Sequence, residues 1–132
     1  MRPRIVACVA ALALCIVIAG LAWSQQEHPK ASAATPEMKT IQGEVLDMMC
    51  YMAHEGKGPK HKKCAETCIS EGAPMGLLTS DGSVYLLVGD HAAPDAYASL
   101  KTKAAEQVKV SGDVMHRGGV QAVVVKSVAA VK

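Results

Sequence analysis

Four residues have the types and the spacing to do chemistry together: Cys50, His61, Cys64 and Cys68. The segment from His61 to Glu71 reads as a short helix closed by Gly72, where a left-handed cap is expected. On that helix His61, Cys64 and Cys68 stand at i, i+3 and i+7, a stripe about 60° wide at 100° per residue. Cys50, expected at the end of the first strand, supplies the distant ligand that closes the loop. Three thiolates and one imidazole form the tetrahedral donor set of structural zinc sites. Met49, Met52, His54 and Met75 are further candidate ligands, because thioether beside thiolate is the set copper(I) prefers. The methionines also have a plainer reading as core gap-fillers, with Met48, Cys50 and Met52 alternating as inward strand residues. His54 stands just before a loop of Gly56, Gly58 and Pro59 and has the plainer reading of a solvated side chain.

A disulfide is the competing use of the cysteines. Cys50 bonded to Cys64 or Cys68 would staple the segment to the rest of the domain and stabilise it by roughly 2–4 kcal/mol. Cys64 with Cys68 is the poorer pair, since neighbours one helical turn apart direct their Cβ vectors badly for the bond. Any pairing leaves one thiol over, which favours a metal or a partner that uses it. Lys57, Lys60, Lys62 and Lys63 form a basic run that would lower the pKa of flanking thiols; its plainer reading is a solvated face. Asp47, three residues before Cys50, is placed to orient a ligand or is simply an edge-strand charge. Covalent haem attachment would need Cys-x2-Cys-His, whereas Cys64-x3-Cys68 is followed by Ile69. No phosphate-cradling loop, carboxylate pair or Ser-His-Asp pattern is present. The chain therefore reads as a non-enzyme, with thiol redox chemistry the one enzymatic option left.

The positions and composition around this stretch bound what it serves. Of 132 residues, half are hydrophobic and a fifth charged, which suits one small domain. Residues 1–24 run from Arg2 and Arg4 through an apolar stretch, Ile5 to Trp23, to polar Ser24-Gln25-Gln26-Glu27. That is the order of a signal peptide. Its apolar length also suits an uncleaved inner-membrane anchor. Either way the remainder is expected outside the cytoplasm, in the periplasm. Residues 25–38, with two prolines and no periodicity, read as a flexible linker. Cys8 and Cys15 belong to the leader, so Cys50, Cys64 and Cys68 are the cysteines of the domain. Apart from Arg2 and Arg4, basic and acidic residues balance. Aromatic residues make up only 3% and Phe is absent, so neither charge nor stacking supports nucleic-acid binding.

Residues 39–132 read as a mainly β domain. Thr40–Met49 alternates as a half-buried strand. Met75–Thr79 and Val84–Val88 flank Ser80-Asp81-Gly82-Ser83, a hairpin signal. Pro94 opens a helix, with Asp95 near its positive end and His91 placed to help cap its approach; Ala96, Tyr97, Leu100 and Ala104 carry it to Glu106. Val108–Met115 alternates, and Arg117-Gly118-Gly119 turns the chain near His116 into valine-rich Val120–Val128. The result is a small five-stranded OB-like barrel with one helix between strands 3 and 4 and a short helical Cys-rich insertion, residues 50–75, after strand 1. Ile41-Gln42-Gly43-Glu44-Val45 and Val110-Ser111-Gly112-Asp113-Val114 share one pattern, with a glycine where a small sheet bends to close.

Through Gly43-Glu44-Val45, the Asp81-Gly82 hairpin and Val110–Val114, the chain resembles the small exported bacterial OB-fold proteins over roughly residues 39–132. The resemblance implies a compact β-barrel outside the cytoplasm. The cysteine-bearing insertion departs from the plain version of that family. Three functions follow as expectations: an exported protein holding copper or zinc through its Cys/His cluster, a disulfide-stapled interaction module or accessory subunit of a membrane-associated complex, and a thiol redox protein.

Overall fold

The computed structural model describes residues 36–131, and the expected leader and most of the expected linker lie outside them. Five strands form a closed barrel: β1 (Glu37–Asp47), β2 (Met75–Leu78), β3 (Val84–Gly89), β4 (Gln107–Arg117) and β5 (Val120–Ala130), in the spatial order β1-β2-β3-β5-β4. Helices α1 (Met48–His54) and α2 (Lys62–Ser70), joined through a 3-10 turn at Pro59–His61, lie between β1 and β2. Helix α3 (Pro94–Leu100) lies between β3 and β4.

Closure depends on β1 serving two neighbours. Its first part pairs antiparallel with β4, from Glu37↔Val114 to Glu44↔Gln107; its second part pairs with β2, from Glu44↔Leu78 to Asp47↔Met75. The strand therefore changes partners at Glu44, and Gly43 lets the backbones meet there. A Cβ at Gly43 would stand 2.5 Å from the Leu78 carbonyl oxygen. Gly112 has the matching role across the barrel, at the register shift between Ser111 and Gly112 in the β4–β5 ladder. A Cβ there would strike the Val124 backbone and lie 2.9 Å from Val123 Cγ2. The two glycines picked out by the shared sequence pattern thus sit where backbones approach closely. β3 and β5 run parallel and complete the ring.

The interior is built from Val45, Leu77, Leu87, Val108, Val110, Val123 and Val125, alternate residues of their strands. Helices complete it: Ala65 and Ile69 from α2, Leu100 from α3, and Ala104 beyond α3 are all buried in the same cluster.

Besides small shifts at other strand ends, three boundaries and one cap differ from the sequence reading, each for a physical reason. β1 begins at Glu37, inside the expected linker, because Glu37 and Met38 pair with Val114 and Asp113 of the long β4. β1 ends at Asp47, and the following residues are helical instead of continuing the strand through Met52. α3 stops at Leu100, short of Glu106, because the backbone beyond it has other partners. The Ala105 amide donates to the Val45 carbonyl at 2.8 Å, and the Val45 amide donates to the Glu106 carbonyl at 3.0 Å. His91 does not cap α3; the Asp90 carboxylate accepts from the Ala92 amide at 3.0 Å, and Ala93 at the N-cap offers no side-chain bond.

Filling either glycine contact should be costly. Gly43→Ala and Gly112→Ala are each expected to lower unfolding stability by about 1–3 kcal/mol, as overpacking does. Alanine at Gly82, whose Cβ would meet nothing, should cost less and only through its positive φ of 86°. Urea unfolding of the three variants checks the ranking.

Candidate metal centre

The site begins where β1 stops. Asp47 is fully buried (0% exposed) and serves as the N-cap of α1. Its carboxylate accepts from the Met49 amide at 2.9 Å and from the Cys50 amide at 3.4 Å. These satisfy two of the amides a helix start leaves open. The residues that follow, Met48-Met49-Cys50-Tyr51-Met52-Ala53, are mostly straight-chain or small and include no β-branched side chain, so the capped segment winds as a helix. The Met48 amide donates to the Pro74 carbonyl at 3.0 Å, fastening the start of α1 to the entry of β2. Glu55 closes α1 in the left-handed region, φ 56°.

The second half of the site hangs from α2. Ala65 and Ile69, at i and i+4, face the barrel interior. Cys64 and Cys68 each precede one of these anchors by one residue and so lie about 100° around the helix. That offset turns both thiols toward Cys50 on α1. The loop between the helices is held to the barrel twice. The Gly58 amide donates to Glu44 Oε1 at 2.5 Å, and Lys62 Nζ donates to Glu106 Oε1 at 2.7 Å.

Three thiols converge. Cys50 Sγ lies 3.8 Å from Cys64 Sγ and 3.9 Å from Cys68 Sγ, and the three sulfurs all lie within 4.8 Å of one another. A disulfide requires about 2.05 Å; all three cysteines are free thiols in this structure, so the competing reading of a Cys50 disulfide finds no pair at bonding distance. Around a tetrahedral ion with metal–sulfur bonds of about 2.3 Å, ligand sulfurs stand about 3.8 Å apart. The two spacings from Cys50 are those of sulfurs around a single ion.

The histidines group differently from the sequence reading. Ring nitrogens of His54 and His61 lie within 4.8 Å of each other and of Cys50 Sγ. The grouping is thus Cys50 with Cys64 and Cys68, and Cys50 with His54 and His61. The expected foursome of Cys50, His61, Cys64 and Cys68 is not one mutually close set, because His61 lies in the 3-10 turn before α2 and not on the helical stripe itself. The His54 and His61 rings meet edge to face, with centroids 5.5 Å apart. His61 Nε2 is buried without a hydrogen-bond partner among the described residues. The ring packs so closely against Gly56 that a Cβ there would lie 2.6 Å from Nε2.

Among the methionines, Met75 is a core residue on β2, 1% exposed, and Met48 packs over Gly76. Met49 and Met52 are 61% and 74% exposed on α1. The proposed inward alternation of Met48, Cys50 and Met52 gives way to this helical arrangement. Asp47 followed by a run free of β-branched residues was the available sign of it.

Electrostatics also runs opposite to the lysine reading. The Cys50 thiol is pushed up, first by its hydrogen bond to Asp47, then by burial and by the other two thiols. Burial pushes the Cys68 thiol up as well. Lys62 is occupied with Glu106 and, at 3.9 Å, Glu66, while Lys57 lies 3.9 Å from Glu55. A cation placed among the sulfurs would supply the positive charge that these lysines do not.

No protein-family model, curated protein or solved structure matches the chain.

Burial opposes the charge on Asp47, yet the Cys50 thiol and the Met49 and Cys50 amides outweigh it and hold the carboxyl below its usual range. Its stabilising contribution is therefore complete above the ordinary carboxylate pKa of about 3.9 and is lost as pH falls through the lower folded value. Asp47→Ala should cost about 1–2 kcal/mol at neutral pH, the scale of a lost N-cap. The gap from the unsubstituted protein should close as the medium is acidified below the carboxylate range. Urea unfolding across a pH series measures both effects, and a gap independent of pH would contradict the assignment.

Proposed function

We propose that this is an exported small metal-binding protein that holds copper(I) or zinc through Cys50, Cys64 and Cys68. The observation that carries the reading is the spacing of three free thiol sulfurs around one point, set by two helices anchored to the same barrel. Soft thiolates select soft or borderline ions. Three thiolates complete a three-coordinate copper(I), whereas zinc takes a fourth donor, for which the His54 and His61 rings stand alongside.

The barrel is read as the OB type, supported by its strand order, the parallel β3–β5 pair and the helix between β3 and β4. Export rests on the order of basic, apolar and polar residues in 1–24, and is also what the resemblance to small exported bacterial OB-fold proteins implies. The role is storage, delivery or structural use of the metal, without catalysis.

The test is metal content together with cysteine alkylation mapped by peptide, on protein isolated without chelator. The expected result is about one copper or zinc at the three thiols. All three should be shielded from alkylation until the metal is removed, and all three recovered as free thiols afterwards. Cys64→Ser and Cys68→Ser should each release the metal at least tenfold more readily. A metal-free protein with one free thiol and a Cys50 disulfide would overturn the proposal and move the search to protein partners.

A further inference from the structure

Cys50 belongs to both donor triads. From this we infer that the site is built for two soft metal ions joined by the Cys50 thiolate, one held with Cys64 and Cys68, the other with His54 and His61. The inference rests on the metal-binding reading above and concerns the histidine side of the cluster, which that reading leaves as an adjunct.

Three independent features support it. The first is grouping: the two histidines are mutually close and close to Cys50, yet do not share one set with Cys64 and Cys68. A single ion therefore cannot take all five donors where they stand, whereas two ions sharing Cys50 use every one. A thiolate sulfur has lone pairs enough to bridge, and each triad matches the three-coordinate preference of copper(I). The second is the buried His61 Nε2, which has no partner among the described residues. A buried polar nitrogen left unpaired costs about 1–3 kcal/mol, so the arrangement of Gly56 and His61 is paid for without a return inside the protein itself. A nearby cation bound to the ring fixes its tautomer and turns the imidazole into a ligand. The third is charge. Once metal binding has deprotonated the cysteines, three thiolates and the buried Asp47 carboxylate place four negative charges together. One copper(I) or even one zinc leaves much of that uncompensated, and a second cation reduces it further.

The shared sulfur also sets the order of filling. The three-thiolate position has the softer donors and should load first. The Cys50–His54–His61 position, with two nitrogen donors, follows.

The experiment is an anaerobic titration of the full chain with copper(I), with zinc(II) as a separate arm, read by native mass spectrometry. Cys8→Ser and Cys15→Ser are introduced so that only the three domain thiols contribute. Two copper(I) ions per chain are expected, the first bound at least tenfold more tightly. His54→Ala, at an exposed position, should reduce the count to one while leaving the first affinity within about twofold. His61→Ala should do the same, and X-ray absorption should then show the loss of nitrogen donors from the copper shell. Circular dichroism and melting of each metal-free variant establish that the barrel is intact. If the unsubstituted protein binds one copper(I), or still binds two after both histidines are replaced, the two-ion cluster is wrong and the three-thiolate site stands. Uptake of zinc alone would also overturn it. If neither metal binds, the proposed function itself fails.

Discussion

A buried carboxylate joins the two halves of this molecule. Asp47 is the last residue of β1, paired across the sheet with Met75, and it is also the residue that starts α1. A carboxylate taken out of water must be hydrogen-bonded or it is prohibitively expensive; here the open amides of a helix start meet that need, together with the Cys50 thiol. The requirement works both ways. The helix needs an acceptor at that point, the acceptor needs donors, and the first turn so formed carries Cys50. Without the cap, the methionine-rich segment has no reason to leave the strand direction, and Cys50 has no fixed bearing toward α2.

The other side of the site is set by apolar burial. Ile69 and Ala65 lie in the barrel core, and the two cysteines follow from the helical twist. Fully burying a side chain such as Ile69 contributes about 1.5–3 kcal/mol, enough to hold a short helix that would not persist alone in water. One hydrophobic stripe thus orients two polarisable ligands without spending any hydrogen bond on them. The same barrel supplies Glu44 and Glu106, whose carboxylates hold the loop and the start of α2 from below.

Much of the barrel was legible in the sequence because its strands are alternating or valine-rich and its turns use Asp-Gly and Gly-Gly. The expected and observed strands agree in number and differ only at their ends. Those ends could not be read locally: β1 reaches back to Glu37 only because β4 is long enough to meet it, and α3 is cut short by a bond to Val45 far away in the chain. The site was legible as a set of residues but not as a grouping. Cys50, Cys64 and Cys68 do converge, whereas His61 falls in with His54. A turn of 3-10 geometry at Pro59–His61 breaks the 100° arithmetic on which the single stripe relied. The direction of the thiol shifts was missed for a related reason. The lysines flank Cys64, whereas Cys50 answers first to Asp47, three residues before it.

The divided loyalty of β1 has a consequence for the order of assembly. The residues it needs in β4 lie some seventy positions further along, so that ladder closes a long loop, and such contacts form late. The segment from Cys50 to Cys68 is complete much earlier in synthesis. For an interval, then, a growing chain presents three thiols beside a strand with one edge still bare, before the walls that later fix their spacing have been made. Whatever occupies the sulfurs during that interval, metal, proton or another sulfur, competes for the outcome before the barrel has a vote, and a site of this design is sensitive to what surrounds the nascent chain as much as to its finished shape.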